Sequence, residues 1–205
     1  MGSIFDAEYF TTVYRDYSAQ NPPRKLRFYR NLLNRYAPGG RILDMGCAFG
    51  SFLRSLGCQW DRHGIDLSEH ALRSAPGCVA VASAEAPPFV GPWDALTAFD
   101  VLEHVPDLDA VERYLDTLQP GGAFMMVVPV YDGPLGWLVH LLDRDRTHIH
   151  KRSREWWLQW AGNRLEVAEW QGIFRYLLGG YYIHWPTRWF RSVAPAILIV
   201  ARKVV

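Results

Sequence analysis

The stretch RILDMGCAFGSFLRSL, residues 41–56, passes from a short apolar strand through a turn of small residues into a helix. A unit of this kind directs backbone N–H groups and the positive end of the helix toward the carboxyl edge of the strand. In an open α/β sheet, that edge is where ligands bind. The stretch therefore predicts a sheet-bound nucleotide cofactor and constrains the fold more than any other feature of the chain.

The same alternation of strand and helix continues along the chain. Helices are predicted at 21–36, 51–57, 68–75, 107–118 and 153–163. Strands are predicted at 41–45, 62–68, 78–84, from 94 onward, 123–130, 164–174 and 195–205. The stretch GGYYIHWPTRWF, residues 179–190, is predicted to be a loop or a broken helix. Because several strands are apolar throughout, we expect a parallel sheet covered by helices on both faces.

Composition narrows the class of protein. The 205 residues are 49% hydrophobic, which suits one globular domain, and a net charge of +1 gives no reason to expect a nucleic-acid partner. The three cysteines, Cys47, Cys58 and Cys78, contain no CxxC motif. We therefore expect them to be buried, unpaired by disulfides and kept reduced in the cytoplasm. No signal peptide and no membrane span are expected.

Two cofactor templates can be compared with the turn. The dinucleotide pattern G-x-G-x-x-G matches one of its three positions, at Gly46. The pattern D-x-G-x-G-x-G matches three of its four positions, with Asp44, Gly46 and Gly50 present and Ala48 replacing the middle glycine. Asp66 ends the next predicted strand 22 residues after Asp44, where a carboxylate can accept hydrogen bonds from a ribose diol.

Five motifs occur in order: ILDMGCAFG, GIDLSEHAL, ASAEAPPF, FDVLEHVPD and LQPGGAFMMVVP. With these motifs the chain resembles the class I S-adenosylmethionine-dependent methyltransferases of the small-molecule, methyltransferase-11/23-like group. The resemblance covers about residues 38–130. It implies a Rossmann-like α/β fold, with a seven-stranded sheet that is mostly parallel, one antiparallel strand near the C-terminus, and helices on both faces.

The resemblance also divides the single domain, residues 1–205, into four parts. Residues 1–37 would form an N-terminal helical lid and residues 38–130 the cofactor-binding core. Residues 131–163 would form a substrate lid or insert, and residues 164–205 the final strands. Neither the oligomeric state nor the pathway can be inferred from the sequence.

S-adenosyl-L-methionine is the cofactor that the resemblance implies. The residues it assigns to the cofactor are Asp44, Gly46, Cys47, Ala48, Gly50, Asp66, Leu67, Ser83, Ala84, Glu85, Asp100 and Val101. Asp66 would bind the ribose and Leu67 would pack on adenine. The sequence departs from the family at Ala48 and at Ser83, where an aspartate often accepts from the adenine amino group.

Methyl transfer to oxygen benefits from a base with a pKa near neutrality, which favours histidine. His104 follows the fourth strand, and His148 lies on a predicted lid loop, so both are candidate catalytic residues. For His104 we favour the site role, and capping of the next helix is the alternative interpretation. For the loop, a solvated charged surface remains open.

Substrate contacts are predicted from two further parts of the chain. The resemblance places Glu103 near the mouth of the site and folds Tyr14 and Tyr17 over the cofactor; His150 shares the loop of His148. Plain packing of the N-terminal helix would explain the tyrosines equally well. No metal ion is expected, because the acidic and histidine residues of 143–150 are close only along the chain.

The sequence thus predicts a methyltransferase that acts on a small-molecule acceptor, at oxygen by preference. Two alternatives stay open. Ala48 and Ser83 suggest a catalytically silent S-adenosylmethionine-binding subunit. The stretches WLVHLL and IHWPTRWF suggest contact with a membrane surface and a lipid-linked acceptor.

Overall fold

The protein is described by a computed structural model that covers residues 17–143, 145–178 and 181–204. Its strands are β1 (Gly40–Met45), β2 (Trp60–Asp66), β3 (Cys78–Val81), β4 (Trp93–Phe99), β5 (Leu118–Pro129), β6 (Glu166–Leu178), β7 (Tyr181–Thr187) and β8 (Ala196–Arg202). They form one sheet in the order β3-β2-β1-β4-β5-β8-β6-β7. The Rossmann-like α/β class predicted from the sequence is therefore confirmed.

The directions of the last strands differ from the prediction. Strands β1 to β5 pair in parallel, whereas β5 with β8, β8 with β6, and β6 with β7 all pair antiparallel. Within the described residues the sheet has eight strands instead of seven, and two of them, β7 and β8, oppose the rest. The extra strand is β7, which the sequence predicted to be loop or broken helix. As an edge strand, it tolerates Pro186, a residue that argues against a central strand.

Helices flank the sheet on both faces, as predicted. They are α1 (Tyr17–Gln20), α2 (Pro23–Leu33), α3 (Ser51–Ser55), α4 (Glu69–Leu72), α5 (Leu108–Tyr114), α6 (Gly136–Leu142) and α7 (Arg154–Gly162). Helix α6 was not predicted, because residues 131–153 mix turn signals with apolar and charged residues. None of the helices in the described ranges is long and apolar enough to cross a bilayer.

Two apolar layers hold the helices on the sheet. On one face, Tyr29 of α2 and Phe52 of α3 pack with Ile42 of β1. On the other, Val111 of α5 and Trp157 of α7 pack with the opposite side of the central strands. Burial of both faces explains why the central strands are almost wholly apolar.

The cysteines depart from their prediction. Cys47 is buried, but Cys58 and Cys78 are exposed, and all three are free thiols. Cys58 lies in the short connection before β2, and Cys78 begins the edge strand β3, so neither has a neighbouring layer to cover it.

Candidate active site

The candidate site lies where the strand order reverses, at the carboxyl ends of β1 and β4. Gly46 follows β1 with φ +70°. A Cβ at this position would lie 2.2 Å from Cγ2 of Val101, which follows β4. Position 46 therefore needs glycine for its conformation and for space. The turn after β1 and the loop after β4, which are both predicted to bind the cofactor, therefore lie in contact.

Ala48 adopts a left-handed conformation, with φ +47°. Its backbone N–H donates to Oδ2 of Asp66 at 2.8 Å, and the N–H of Ser68 donates to Oδ1 at 2.8 Å. One carboxylate thus ties the turn after β1 to the end of β2. Burial raises the pKa of Asp66 in spite of these two donors. Because each carboxylate oxygen has a second lone pair, Asp66 can also accept hydrogen bonds from a ligand.

Asp44 is the most deeply buried of the predicted cofactor carboxylates, with 3% of its surface exposed. Its Oδ1 accepts a hydrogen bond from the Thr97 hydroxyl on β4 at 2.6 Å. Burial raises the pKa of Asp44 to about 7, although the Thr97 hydrogen bond opposes this shift. A cationic ligand group beside Asp44 would therefore favour its ionised form.

The turn after β3 is bound to the start of α5. The Ser83 hydroxyl donates to Oε2 of Glu85 at 3.0 Å, and Oε1 of Glu85 accepts from the N–H of Asp107 at 2.7 Å. Ala84 between them is buried, whereas Leu67 after β2 is 42% exposed. Leu67 thus offers apolar surface that an adenine ring can cover.

Asp100 connects the end of β4 to β6. Its backbone has φ +58°, and its side chain forms an ion pair with Arg175. Burial alone would raise the pKa of Asp100, but Arg175 and Lys25 outweigh it and hold this pKa below its usual range. Lys25 of α2 is itself buried, and desolvation lowers its pKa to about 8. The Asp100 carboxylate at the base of the cleft is therefore ionised, and Arg175 and Lys25 neutralise its charge.

Glu103 and His104 lie on a 3-10 turn at Leu102–His104, directly after the β4 loop. Glu103 is fully buried, and neither of its carboxylate oxygens accepts a hydrogen bond from the described residues. Oε1 of Glu103 lies 4.0 Å from Nε2 of His148, and the rings of His104 and His148 are 4.6 Å apart. Burial, reinforced by the charge of Asp100, raises the pKa of Glu103 well above its usual range. The fold thus brings the two predicted catalytic histidines together beside this carboxyl group.

His104 does not cap the following helix. The N–H of Ala110 donates to Oδ1 of Asp107, which is the N-cap of α5. Nδ1 of His104 instead lies 2.8 Å from the Thr147 hydroxyl. Burial, reinforced by the neighbouring His148, lowers the pKa of His104. The structure therefore excludes helix capping as the role of His104.

His148 is held by a carboxylate on the other side of its ring. Its Nδ1 lies 2.9 Å from Oδ1 of Asp143, and the Tyr131 hydroxyl donates to Oδ2 of Asp143 at 2.7 Å. Burial alone would raise the pKa of Asp143, but hydrogen bonds from Lys151 and Tyr131 lower it to about 2. An ionised carboxylate on Nδ1 favours the tautomer with the proton there, so Nε2 faces Glu103 as an acceptor.

The other predicted substrate residues have different positions. Nε2 of His150 lies 2.8 Å from the carbonyl oxygen of Val105, and the N–H of His150 donates to the Glu103 carbonyl at 3.1 Å. These contacts hold the loop on the 3-10 turn. Tyr17 packs against Phe49 of the turn after β1, with ring centroids 4.9 Å apart. Tyr14 lies outside the described residues.

An open cavity of about 210 Å³ is lined by His148 of the histidine pair. Its apolar wall includes Leu138, Val139 and Leu142 of α6, and its polar end includes His148 and Arg175. A ligand with an apolar body and a polar head matches this division.

Sequence reasoning missed three residues of this region: Lys25, Tyr131 and Arg175. Arg175 comes directly after residues 164–174, which are predicted as a strand, and its charge at that point was the one available signal. Lys25 and Tyr131 carry no local signal, since only the packing of α2 and of the segment after β5 brings them to the site.

Comparison with known proteins identifies the family to which this chain belongs. A sequence model described as "Methyltransferase domain" matches residues 17–173. A ubiquinone biosynthesis O-methyltransferase from Chromobacterium violaceum is 36% identical over 110 residues, which cover 45% of this chain and 46% of that protein. Its namesake from Ralstonia nicotianae is 39% identical over 97 residues, 41% of each chain. The chain thus matches less than half the length of these curated relatives.

Solved structures share the fold at low sequence identity. The YcgJ protein of Bacillus subtilis superposes with a TM-score of 0.66 at 18% identity, covering 88% of this chain and 98% of that one. An S-adenosylmethionine-dependent methyltransferase from Clostridium acetobutylicum gives a TM-score of 0.63 at 12% identity, covering 97% of both chains. At these identities the likeness concerns the fold alone.

Proposed function

This chain belongs to the class I S-adenosylmethionine-dependent methyltransferases, and we propose that it methylates a hydroxyl oxygen of a small molecule with an apolar body. The proposal rests on one observation above all. The His104–His148 pair stands beside the predicted cofactor cleft, and His148 lines the open apolar cavity.

The residues of the cleft fit the cofactor. Asp66 carries acceptor oxygens suited to the ribose hydroxyls, and Asp44 offers a buried carboxyl to the amino group of the methionine end. The turn from Gly46 to Gly50 permits close approach of a ligand, because Gly46 and Gly50 have no side chain. When bound, S-adenosylmethionine supplies an electrophilic methyl group on a sulfonium.

His148 is the better placed of the two bases. Asp143 fixes its Nδ1, so its Nε2 can accept the proton of an acceptor hydroxyl. His104 lies against it, and Thr147 orients that ring. The pair would position the acceptor oxygen and remove its proton.

The acceptor class follows from the cavity. Its apolar wall on α6 suits a hydrocarbon or aromatic body, and its polar end beside His148 and Arg175 suits the oxygen-bearing head. The names of the curated relatives, both O-methyltransferases of ubiquinone biosynthesis, support oxygen as the acceptor atom. We place the enzyme in the cytoplasm, where the exposed thiols of Cys58 and Cys78 would stay reduced.

The test is methyl transfer to a panel of alkyl-substituted phenols and catechols, with the variant His148→Gln. We expect kcat to fall by about 10²–10⁴-fold, as for loss of a general base, while the calorimetric affinity for S-adenosylhomocysteine changes less than twofold. Equal losses of turnover and affinity would assign His148 a structural role.

The same assay tests the silent-subunit alternative. Cofactor binding without transfer to any hydroxyl acceptor would contradict the proposal and favour a catalytically silent subunit. Absence of cofactor binding would contradict both.

A separate observation supports a second candidate function. Helix α6 exposes Trp137 at 66%, Leu141 at 70% and Leu142 at 56% beside the cavity mouth. Such apolar surface next to an acceptor cavity favours an acceptor that is taken from a membrane surface.

A further inference from the structure

Three ligand atoms converge at the histidine pair. One atom each from Glu103, His104 and His148 lie within 4.8 Å of one another. Atoms bound to one cation at about 2.1 Å lie within roughly 4.2 Å of one another, so shifts of less than about 1 Å would form a shared site. These residues come from the 3-10 turn after β4 and from the loop after α6, which the fold brings together.

The buried side chain of Glu103 has no hydrogen-bond partner among the described residues. It is fully buried, and neither oxygen accepts a hydrogen bond from the described residues. Its nearest ion-pair neighbour is Nε2 of His148, at 4.0 Å, which is too distant for a hydrogen bond. Since an uncompensated buried carboxylate is costly, a cation between Glu103 and the imidazoles would stabilise the ionised form of this group.

The surroundings of both histidines orient them for such an ion. Nδ1 of His148 is held by the Asp143 carboxylate at 2.9 Å, which directs Nε2 to Glu103. Nδ1 of His104 is held by the Thr147 hydroxyl at 2.8 Å, so Nε2 is the nitrogen that would ligate. Histidines that ligate metals commonly carry a carboxylate or another polar group on the opposite ring nitrogen.

We propose that Glu103, His104 and His148 bind one divalent first-row transition cation, Zn²⁺ or Mn²⁺, with open positions that an acceptor oxygen can occupy. Two imidazoles and one carboxylate form a donor set that such ions prefer over Mg²⁺ and Ca²⁺. The sequence expectation of no metal considered only neighbours within residues 143–150. The site instead joins His148 to Glu103 and His104, more than forty positions earlier in the chain.

The role of the ion in catalysis rests on the proposed function, whereas its binding does not. A divalent ion beside an acceptor hydroxyl lowers the pKa of that hydroxyl. The hydroxyl proton passes to water, and the oxygen lone pair forms the new C–O bond. The C–S bond breaks, and its electron pair remains on the neutral thioether sulfur. Because Nε2 of His148 cannot bind the ion and accept the proton at the same time, water is the proton acceptor in the metal-bound enzyme, and His148 acts as the base only in the metal-free form.

Calorimetric titration of the metal-free protein with Zn²⁺ and with Mn²⁺ tests the site. We expect one ion per chain, with affinity reduced at least tenfold in Glu103→Gln and in His148→Asn. The control is His70→Asn, an exposed histidine on α4, which should leave the stoichiometry and affinity unchanged. Unchanged affinity for S-adenosylhomocysteine in Glu103→Gln shows that this variant folds.

The outcomes separate the two proposals. Absence of stoichiometric binding of both ions, or binding that Glu103→Gln and His148→Asn leave intact, would overturn the metal site. Metal binding without methyl transfer to any hydroxyl acceptor would support the site and contradict the proposed function. Full methyl transfer by chelator-treated protein would overturn the catalytic role of the ion.

Discussion

At the scale of single residues, Ala48 shows how the turn after β1 departs from its template. The template position is glycine, and the structure gives Ala48 φ +47°, in the left-handed region that glycine favours. The backbone N–H of Ala48 is bound by Asp66 at 2.8 Å, so the conformation survives the substitution. The sequence predicted both residues at the site. It did not predict that one hydrogen bond joins them.

The strain at Ala48 can be measured. Replacing it with glycine relieves about 1–2 kcal/mol of left-handed strain. This relief is offset by about 0.4–1 kcal/mol of unfolded-state entropy and about 0.8 kcal/mol for the buried methyl group. We therefore expect Ala48→Gly to change the free energy of unfolding by less than about 0.5 kcal/mol in urea titrations.

The matched control is Ala110→Gly within α5, where no strain is relieved. This variant should lose about 1 kcal/mol. Equal losses in the two variants would contradict a left-handed conformation at position 48.

At the scale of elements, β6 contacts two segments, the turn after α2 and the residue after β7, whose proximity the sequence did not predict. Oε2 of Glu169 on β6 accepts from the Tyr36 hydroxyl, which follows α2, at 2.6 Å, and Oε1 pairs with Arg188 after β7. The sequence predicted α2 and most of β6. It missed β7, because pairing with a distant strand leaves no local pattern.

Glu169 should make stability depend on pH. Burial alone would raise its pKa, but the Tyr36 and Arg188 hydrogen bonds outweigh it and lower the pKa from 4.5 to about 2. A depressed pKa stabilises the folded state above about pH 4.5, and this contribution is lost as pH falls toward 2. We expect Glu169→Gln to cost about 1 kcal/mol at pH 7, since Arg188 is exposed, and little near pH 2.5.

Urea midpoints at the two pH values check this expectation. Glu166→Gln, at the exposed start of the same strand, is the control and should behave as the wild type does. A loss for Glu169→Gln that is the same at both pH values would show that its ionisation is not responsible.

At the scale of the whole molecule, the sheet places cofactor cleft, histidine pair and cavity along one edge. Helix α6 lines the cavity and exposes Trp137 and Leu141 to solvent. If the acceptor is taken from a membrane, this surface should bind phospholipid vesicles, and the double variant Trp137→Ser/Leu141→Ser should float at least tenfold less in a sucrose gradient.

Val90→Ser is the control for flotation. Val90 is 81% exposed but precedes β4, at the edge of the sheet away from the site. A wild-type protein that stays wholly in the soluble fraction would contradict the membrane-surface candidate, while leaving hydroxyl methylation to its own assay.

The sequence by itself determined the parallel core, the turn after β1 and the cofactor class. These features are local: an apolar strand, small residues at fixed spacing, and Asp66 one strand later. Only the tertiary structure decided that His148 meets Glu103 and His104, that Arg175 pairs with Asp100, and that 181–187 is an edge strand. The physical reason is that the residues in contact lie far apart along the chain. Such contacts depend on how helices and strands pack across the sheet, and no short stretch of sequence specifies that packing.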